Sequence, residues 1–335
     1  MKKFFNNPSD YVKDMCEGIE YAFGGQLRFA DREKRVLLRA SHAPKGKVGI
    51  VTAGGSGHLP VFLGYVGAGM LDGCTIGNIF ASPSAQKMEE TIRACDFGAG
   101  VLCLYGNYGG DRMNFEMACE SVGFDGIETR QVLVRDDIFS SPQETAEKRR
   151  GVAGMVFAFK VAGAAADQML PLASVAAAAE KALRNMRSIG VALSPCILPE
   201  VGKPSFIIAD DEMEVGMGIH GEPGIQTCKI LSAEETIQTL LEKINEELCL
   251  GEGDEVAVML NGLGATPMEE LLILYRSAFK WLMSRGIKPF MPHIGEFATS
   301  MEMAGASLTV MKLDEELKTY LRAPACTPFY TNVNK

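Results

Sequence analysis

The sequence predicts an α/β protein: an N-terminal domain on a mostly parallel sheet with helices on both faces, then a C-terminal α+β domain. Three observations carry this expectation. In the first half, short apolar β-rich runs alternate with segments of helical periodicity, the pattern of a parallel sheet covered on both faces. Beyond an alanine-rich helix the character of the chain changes, and neighbouring strand-like runs are interleaved with two long helices. A length of 335 residues suits two compact domains.

The elements follow in order. KVGIVTA (47–53) is a compact apolar strand running straight into GGSGH, and PSAQKMEETIRAC (83–95) has helical periodicity. GVLCLYGN (100–107) is a second strand that ends before GGD, followed by the helical DRMNFEMACESV (111–122). ETRQVLVRDD (128–137) is a third strand, closing on two aspartates. In such sheets ligands collect at the carboxyl ends of strands, where GGSGH and GNYGGD both fall. A helix over Ser174–Met186 precedes SIGVALSP (188–195), and the domain boundary is set near Met186, giving domains 1–186 and 187–335. In the second domain the pattern predicts a helix at Ser232–Leu248, a strand at 254–264 and a helix at Pro267–Arg285. Strand-like segments around Ile287–Met291 and Ala306–Lys312 complete it.

Composition excludes several functions. A net charge of −9, with no basic block beyond Lys148-Arg149-Arg150, argues against a nucleic-acid partner. Nine cysteines, an odd number without CxxC or CxxH spacing, predict neither a disulfide framework nor a zinc site, and no metal is expected on this chain. The N-terminal MKKFFNNPSD lacks the apolar core of a secretory signal. The longest apolar stretch, Gly151–Ala166, contains Lys160 and falls short of the roughly 20 residues that span a bilayer. The expectation is a reduced, cytoplasmic protein that does not engage membranes.

Three constellations point to chemistry. In GGSGH, the residues Gly55, Ser56 and Gly57 let backbone N–H groups approach a ligand, and His58 sits where a strand-end ligand would lie. An ordinary strand-to-helix turn explains the glycines equally well. The loop fits neither GxxxxGK[ST] nor GxGxxG, so no nucleotide site is expected here. In GNYGGDRMNF, Asp111 opens a helix, either as an N-cap or as a carboxylate held to take a hydroxyl proton; a capping aspartate can do both. His220 stands in VGMGIHGEPG (215–224), either in a plain turn or as a nucleophile toward a carbonyl carbon whose flanking glycines clear the approach. His42 and His293 lack such surroundings and read as incidental, His42 in a surface loop.

Together GGSGH, NYGGDRMNF, RRGVAG, EMEVGMGIHGEPG and NGLGATP resemble, in order and over essentially the whole chain, the dihydroxyacetone kinase substrate-binding subunit (DhaK) family. The resemblance implies that a short ketose is bound covalently, as a hemiaminal, by the histidine matching His220. It implies further that His58 and Asp111 form the acid/base pair, while the loop from Gly55 to His58 cradles the substrate. The nucleotide, ATP or ADP with Mg2+, is expected on a separate helical, DhaL-like subunit, with no cofactor held by this chain; a homodimer is implied as well. Two positions depart from the usual motifs: Gly106 replaces the lysine of KNYTGD, and Leu59 replaces the glutamate of GSGHEP. The lost lysine predicts a pocket roomier by its stem, suited to a four-carbon ketose such as erythrulose. Two rival readings are a ketose-sensing coactivator that serves a transcription factor and, more remotely, an isomerase using His58 and Asp111.

Overall fold

The strands that lead to the candidate residues are continuous apolar runs, which only a sheet covered on both faces can bury. The computed structural model, which describes residues 2–222 and 224–333, has two such layered assemblies. The first sheet contains β1 (Leu27–Phe29), β2 (Val36–Arg39), β3 (Gly49–Gly54), β4 (Gly73–Ile76), β5 (Val101–Gly106) and β6 (Thr129–Val134). Their order is β1-β2-β4-β3-β5-β6, parallel from β4 through β6, with β1 and β2 added antiparallel at one edge. The sequence expectation covered β3, β5 and β6; the short β1, β2 and β4 were too brief to show a period of their own.

After α1 (Tyr11–Phe23), helices α2 (Ala85–Ala94) and α3 (Gly109–Gly123) bury Met88, Ile92 and Phe115 against Val51, Val101 and Cys103 on one face. On the other, α4 (Met155–Asp167) and α5 (Leu172–Arg184) bury Phe157, Val161 and Val175 with Ile50, Leu102 and Leu104. All but the last residue of α4 are buried, Lys160 included, as expected of a helix apolar on every side. Among the described residues no helix is long and apolar enough to cross a membrane.

The alanine-rich helix stops at Arg184, because Met186 already opens the second sheet. That sheet contains β7 (Met186–Ala192), β8 (Glu212–Val215), β9 (Gln226–Lys229), β10 (Glu255–Gly262), β11 (Lys288–Gly295) and β12 (Gly305–Leu313), in the order β11-β10-β12-β7-β8-β9. Only β10 and β11 run parallel. Helices α6 (Ala233–Leu248) and α7 (Met268–Ser284) pack Ile237, Leu241 and Leu282 on Val256, Val258 and Val310. A capping box between Ser232 and Glu235 starts α6. The chain then returns: α8 (Glu315–Arg322) and the hairpin of β13 (Ala325–Thr327) and β14 (Tyr330–Asn332) place Leu317, Leu321 and Tyr330 in the first sheet's core. His293 is part of this closure, since it lies buried with its Nε2 2.9 Å from the Tyr330 hydroxyl. His42 is exposed in a loop.

Candidate functional site

From β3 the chain passes to β4 on one side and then returns to β5 on the other, so the carboxyl ends of β3 and β5 diverge. Such a switch point leaves a crevice. Three loops meet there: Gly55–His58 after β3, the segment holding Phe80 and Ser82 after β4, and Asn107–Gly110 after β5, leading into α3.

His58 closes a single 3-10 turn, Ser56–His58, and is fully buried. Its Nδ1 lies 2.7 Å from the Thr299 carbonyl, an acceptor, so Nδ1 carries the proton and Nε2 presents its lone pair. That Nε2 has no hydrogen-bond partner among the described residues. Burial, with the neighbouring His220 adding to it, pushes the imidazole down to about 3, so His58 is neutral over the working pH range. Phe80, with a positive φ of 55°, stacks its ring on His58 at 4.7 Å and 19°. The loop glycines serve this packing: a Cβ on Gly57 would stand 2.4 Å from the Phe80 ring, and one on Gly55 2.8 Å from the Phe80 nitrogen.

The partner loop comes from the second sheet. Asn261, fully buried at the end of β10, accepts the Phe297 and Ala298 N–H groups at 2.8 and 2.9 Å and donates to the Ala298 carbonyl at 2.8 Å. It thereby shapes the loop whose Thr299 carbonyl receives His58. Met301 donates its N–H to Gly57 at 2.9 Å, and the Thr299 hydroxyl donates to the Leu59 carbonyl at 2.9 Å.

His220 lies at the rim, its side chain 22% exposed. Its ring meets His58 edge-to-face at 4.6 Å and Tyr108 at 4.7 Å, with Phe80 at 5.4 Å. The Glu222 carboxylate takes the Nδ1 proton at 3.0 Å through Oε1 and the His220 backbone N–H at 2.9 Å through Oε2. Burial opposes the Glu222 charge, but the His220 bond and Arg150 outweigh it and hold the carboxyl at about 2. Nε2 is therefore the ring nitrogen of His220 left with a free lone pair. Gly218 makes room for the carboxylate grip, since a Cβ there would lie 2.1 Å from Glu222 Oε2, and Gly221 adopts a φ of 80° in the turn. Pro223 of this segment lies outside the described residues.

Asp111 stands in the first turn of α3, but the N-cap position belongs to Tyr108, which makes no side-chain cap. The capping reading is thus corrected: two glycines begin the helix earlier, and Asp111 faces inward. Its Oδ1 is buried without a hydrogen-bond partner among the described residues. Burial raises the carboxyl from 3.8 to about 6, against the smaller pulls of the Ser82 hydroxyl and the His220 ring. Gly106 does not border open space. A Cβ there would lie 3.0 Å from the Tyr108 ring and 3.2 Å from the Met155 sulfur, so the void expected from the missing lysine is occupied at its base. Tyr108 is pinned through its hydroxyl to the Gly151 carbonyl at 2.9 Å.

Sequence reasoning passed over Glu222, Tyr108, Phe80, Ser82 and Thr299. A carboxylate two positions after a histidine was a legible signal for Glu222, and Tyr108 sat within a quoted motif. Phe80 and Thr299 carried none, because they arrive from other loops. Among the described residues no group of three or more His, Cys, Asp or Glu side chains could hold a metal ion.

A family model described as the Dak1 domain matches residues 17–329. A PTS-dependent dihydroxyacetone kinase, dihydroxyacetone-binding subunit, of Listeria innocua is 44% identical over 98% of this chain and 99% of its own. The L-erythrulose kinase of Pectobacterium atrosepticum is 42% identical over 98% of this chain, which spans 56% of that kinase. Among solved structures, the dihydroxyacetone kinase from C. freundii in complex with AMP-PNP and Mg2+ is similar, with a TM-score of 0.90 and 32% identity over 99% of this chain and 61% of that one. A dihydroxyacetone kinase operon co-activator is similar too, with a TM-score of 0.89 and 29% identity over 95% of this chain and 98% of that one.

Proposed function

The chain belongs to the Dak1 family, and from that premise we propose that it is the substrate-binding subunit of a split ketose kinase, holding a short ketose on His220. The observation that carries the reading is the pairing in one crevice of two imidazoles whose Nε2 atoms face the same space. His220 is gripped at Nδ1 by Glu222, and His58 is gripped at Nδ1 by the Thr299 carbonyl.

The Nε2 lone pair of His220 bonds to the carbonyl carbon, and the C=O π electrons move to oxygen, which takes up a proton. The Nδ1 proton leaves along the Glu222 hydrogen bond to water and one from water reaches the oxygen, so the product is a neutral hemiaminal and Glu222 stays ionised. Glycerol has no carbonyl and forms no such bond, so the step selects ketoses against similar polyols. The tethered substrate presents a terminal hydroxyl. Asp111 removes its proton, with the Nε2 of His58 as a second acceptor, while the oxygen attacks a phosphoryl group in line. That phosphoryl group comes from a nucleotide with Mg2+ carried by a helical partner. The substrate is dihydroxyacetone or a four-carbon ketose such as erythrulose.

Intact-mass measurement under native conditions tests the first step. Incubation with dihydroxyacetone or erythrulose should add the mass of the ketose, and His220→Ala should abolish the gain without unfolding the protein. An adduct that survives His220→Ala would sink the reading. The likeness to the co-activator supports a second reading, a ketose sensor that binds the same way without transferring phosphate. Addition of the helical nucleotide subunit and its phosphate donor separates them: turnover supports the kinase, and binding without turnover supports the sensor.

A further inference from the structure

The RRGVAG segment, Arg149–Gly154, has no part in the chemistry above, yet two consecutive aspartates hold it in place. Asp136 accepts the Val152 and Gly154 N–H groups, both at 2.8 Å. Asp137 Oδ2 takes the Arg150 side chain, with Nε at 3.0 Å and Nη2 at 2.8 Å. Nη2 also donates to the Gly216 carbonyl at 3.0 Å. With Nε and Nη2 held, the planar guanidinium has one direction left for Nη1, which stands 3.8 Å from Glu222 Oε2. This is ion-pair distance, too long for a hydrogen bond, so its effect is electrostatic; an arginine only 14% exposed is screened little. A Cβ on Gly218 would come within 2.4 Å of Nη1 as well as striking Oε2, so this glycine lets the two charges face each other. Arg149 turns the other way and binds Glu247 through both terminal nitrogens, at 2.8 and 2.6 Å.

We propose that Arg150 is a positioning residue for the nucleophile: its charge fixes the Glu222 carboxylate that grips His220 Nδ1, and through it the readiness of Nε2 to bond a carbonyl carbon. Asp137 and the Gly216 carbonyl aim the guanidinium, and Glu222 transmits its effect. The inference rests on the reading of His220 as the ketose-binding group and adds a residue that does not itself touch substrate.

The test measures the apparent dissociation constant of the ketose adduct by native mass spectrometry in wild type, Arg150→Met, Arg150→Lys, Glu222→Gln and the Arg150→Met/Glu222→Gln double variant. Arg150→Met should weaken the adduct about tenfold, and Arg150→Lys should recover part of the loss, because an ammonium keeps a positive charge near Glu222 without the fork that Asp137 and the Gly216 carbonyl aim. In the Glu222→Gln background, Arg150→Met should add little, since its target is gone. Removing Arg150 strands the buried Asp137 carboxylate, so Asp137→Asn/Arg150→Met is the second variant and should show the same loss with the fold retained. Equal losses for the methionine and lysine variants, or a full additive loss in the Glu222→Gln background, would overturn the proposal. So would an undiminished adduct in Asp137→Asn/Arg150→Met. If wild type itself takes up no ketose, the reading of His220 fails, and this inference falls with it. Wild-type binding with an unaffected Arg150→Met variant overturns the inference alone.

Discussion

At the scale of single residues, the site depends on Asp111 and His58, whose protonation burial shifts most. Asp111 is the clearest case. A base with a carboxyl near 6 is lost as pH falls through that value, so phosphoryl transfer should drop on the acid side of about pH 6. His58, held down at about 3, should contribute no inflection above pH 5. Asp111→Asn should keep the ketose adduct and lower transfer by about 10²–10⁴-fold, measured as turnover with the helical partner present. The same substitution should stabilise the fold. A folded-state carboxyl raised from 3.8 to about 6 favours the protonated form, so its contribution is greatest below pH 4 and is lost as pH rises toward 6. Asn removes that loss, and urea unfolding at pH 8 should show a gain of about 1–3 kcal/mol that vanishes below pH 4. Asp111 was legible as a candidate from GNYGGD alone. Its orphaned oxygen was not, because burial on α3 depends on what packs over the helix.

At the scale of elements, the site is assembled from loops that follow β3, β4 and β5, the loop between β8 and β9 that carries His220 and Glu222, and the loop between β11 and β12. Asn261 is the hinge of that last contribution. Asn261→Ala leaves the Phe297 and Ala298 N–H groups without their acceptor, a cost of about 2–5 kcal/mol on the unfolding free energy. Faster amide exchange at these two positions and reduced turnover should accompany it; unchanged exchange would show that the loop holds itself. Gly57→Ala drives a methyl into the Phe80 ring and should displace the stack on His58, lowering transfer more than ketose binding. The sequence signalled Gly57 as a turn glycine poised for a ligand. The side chain that occupies its vacated space is Phe80, which no local pattern announced.

At the scale of the whole molecule, the two sheets share one site and one C-terminal closure. The segment from α8 onward supplies Leu317, Leu321 and Tyr330 to a core built mainly on the first sheet and its α4 layer, with Ala257, Met259 and Met311 of the second sheet at its border, so deleting residues 315–335 should destabilise the first sheet more than the second. Site-resolved hydrogen exchange would read the difference, and equal loosening of both sheets would contradict it. Ketose choice also belongs to this scale, because the packing of Tyr108 and Met155 around Gly106 joins β5 to the chain's α4 layer. Gly106→Lys must move the Tyr108 ring and should shift the ratio of kcat/KM values toward the three-carbon ketose. No shift between dihydroxyacetone and erythrulose would remove Gly106 from the account of specificity.

By itself the sequence determined strands β3, β5, β6, β7, β10 and β12, helices α2, α3, α5, α6 and α7, and the candidacy of His58, Asp111 and His220. These are local properties: an apolar run or a glycine pair acts over a few residues of its own chain. Only the tertiary structure decided which nitrogen of each histidine is free and which side chains meet. The Thr299 carbonyl reaches His58 across 241 positions of sequence, and the aromatic rings of Phe80 and Tyr108 come to His220 from different loops. Tautomer, burial and orientation depend on the partners that folding brings together, and no periodicity in the chain encodes them.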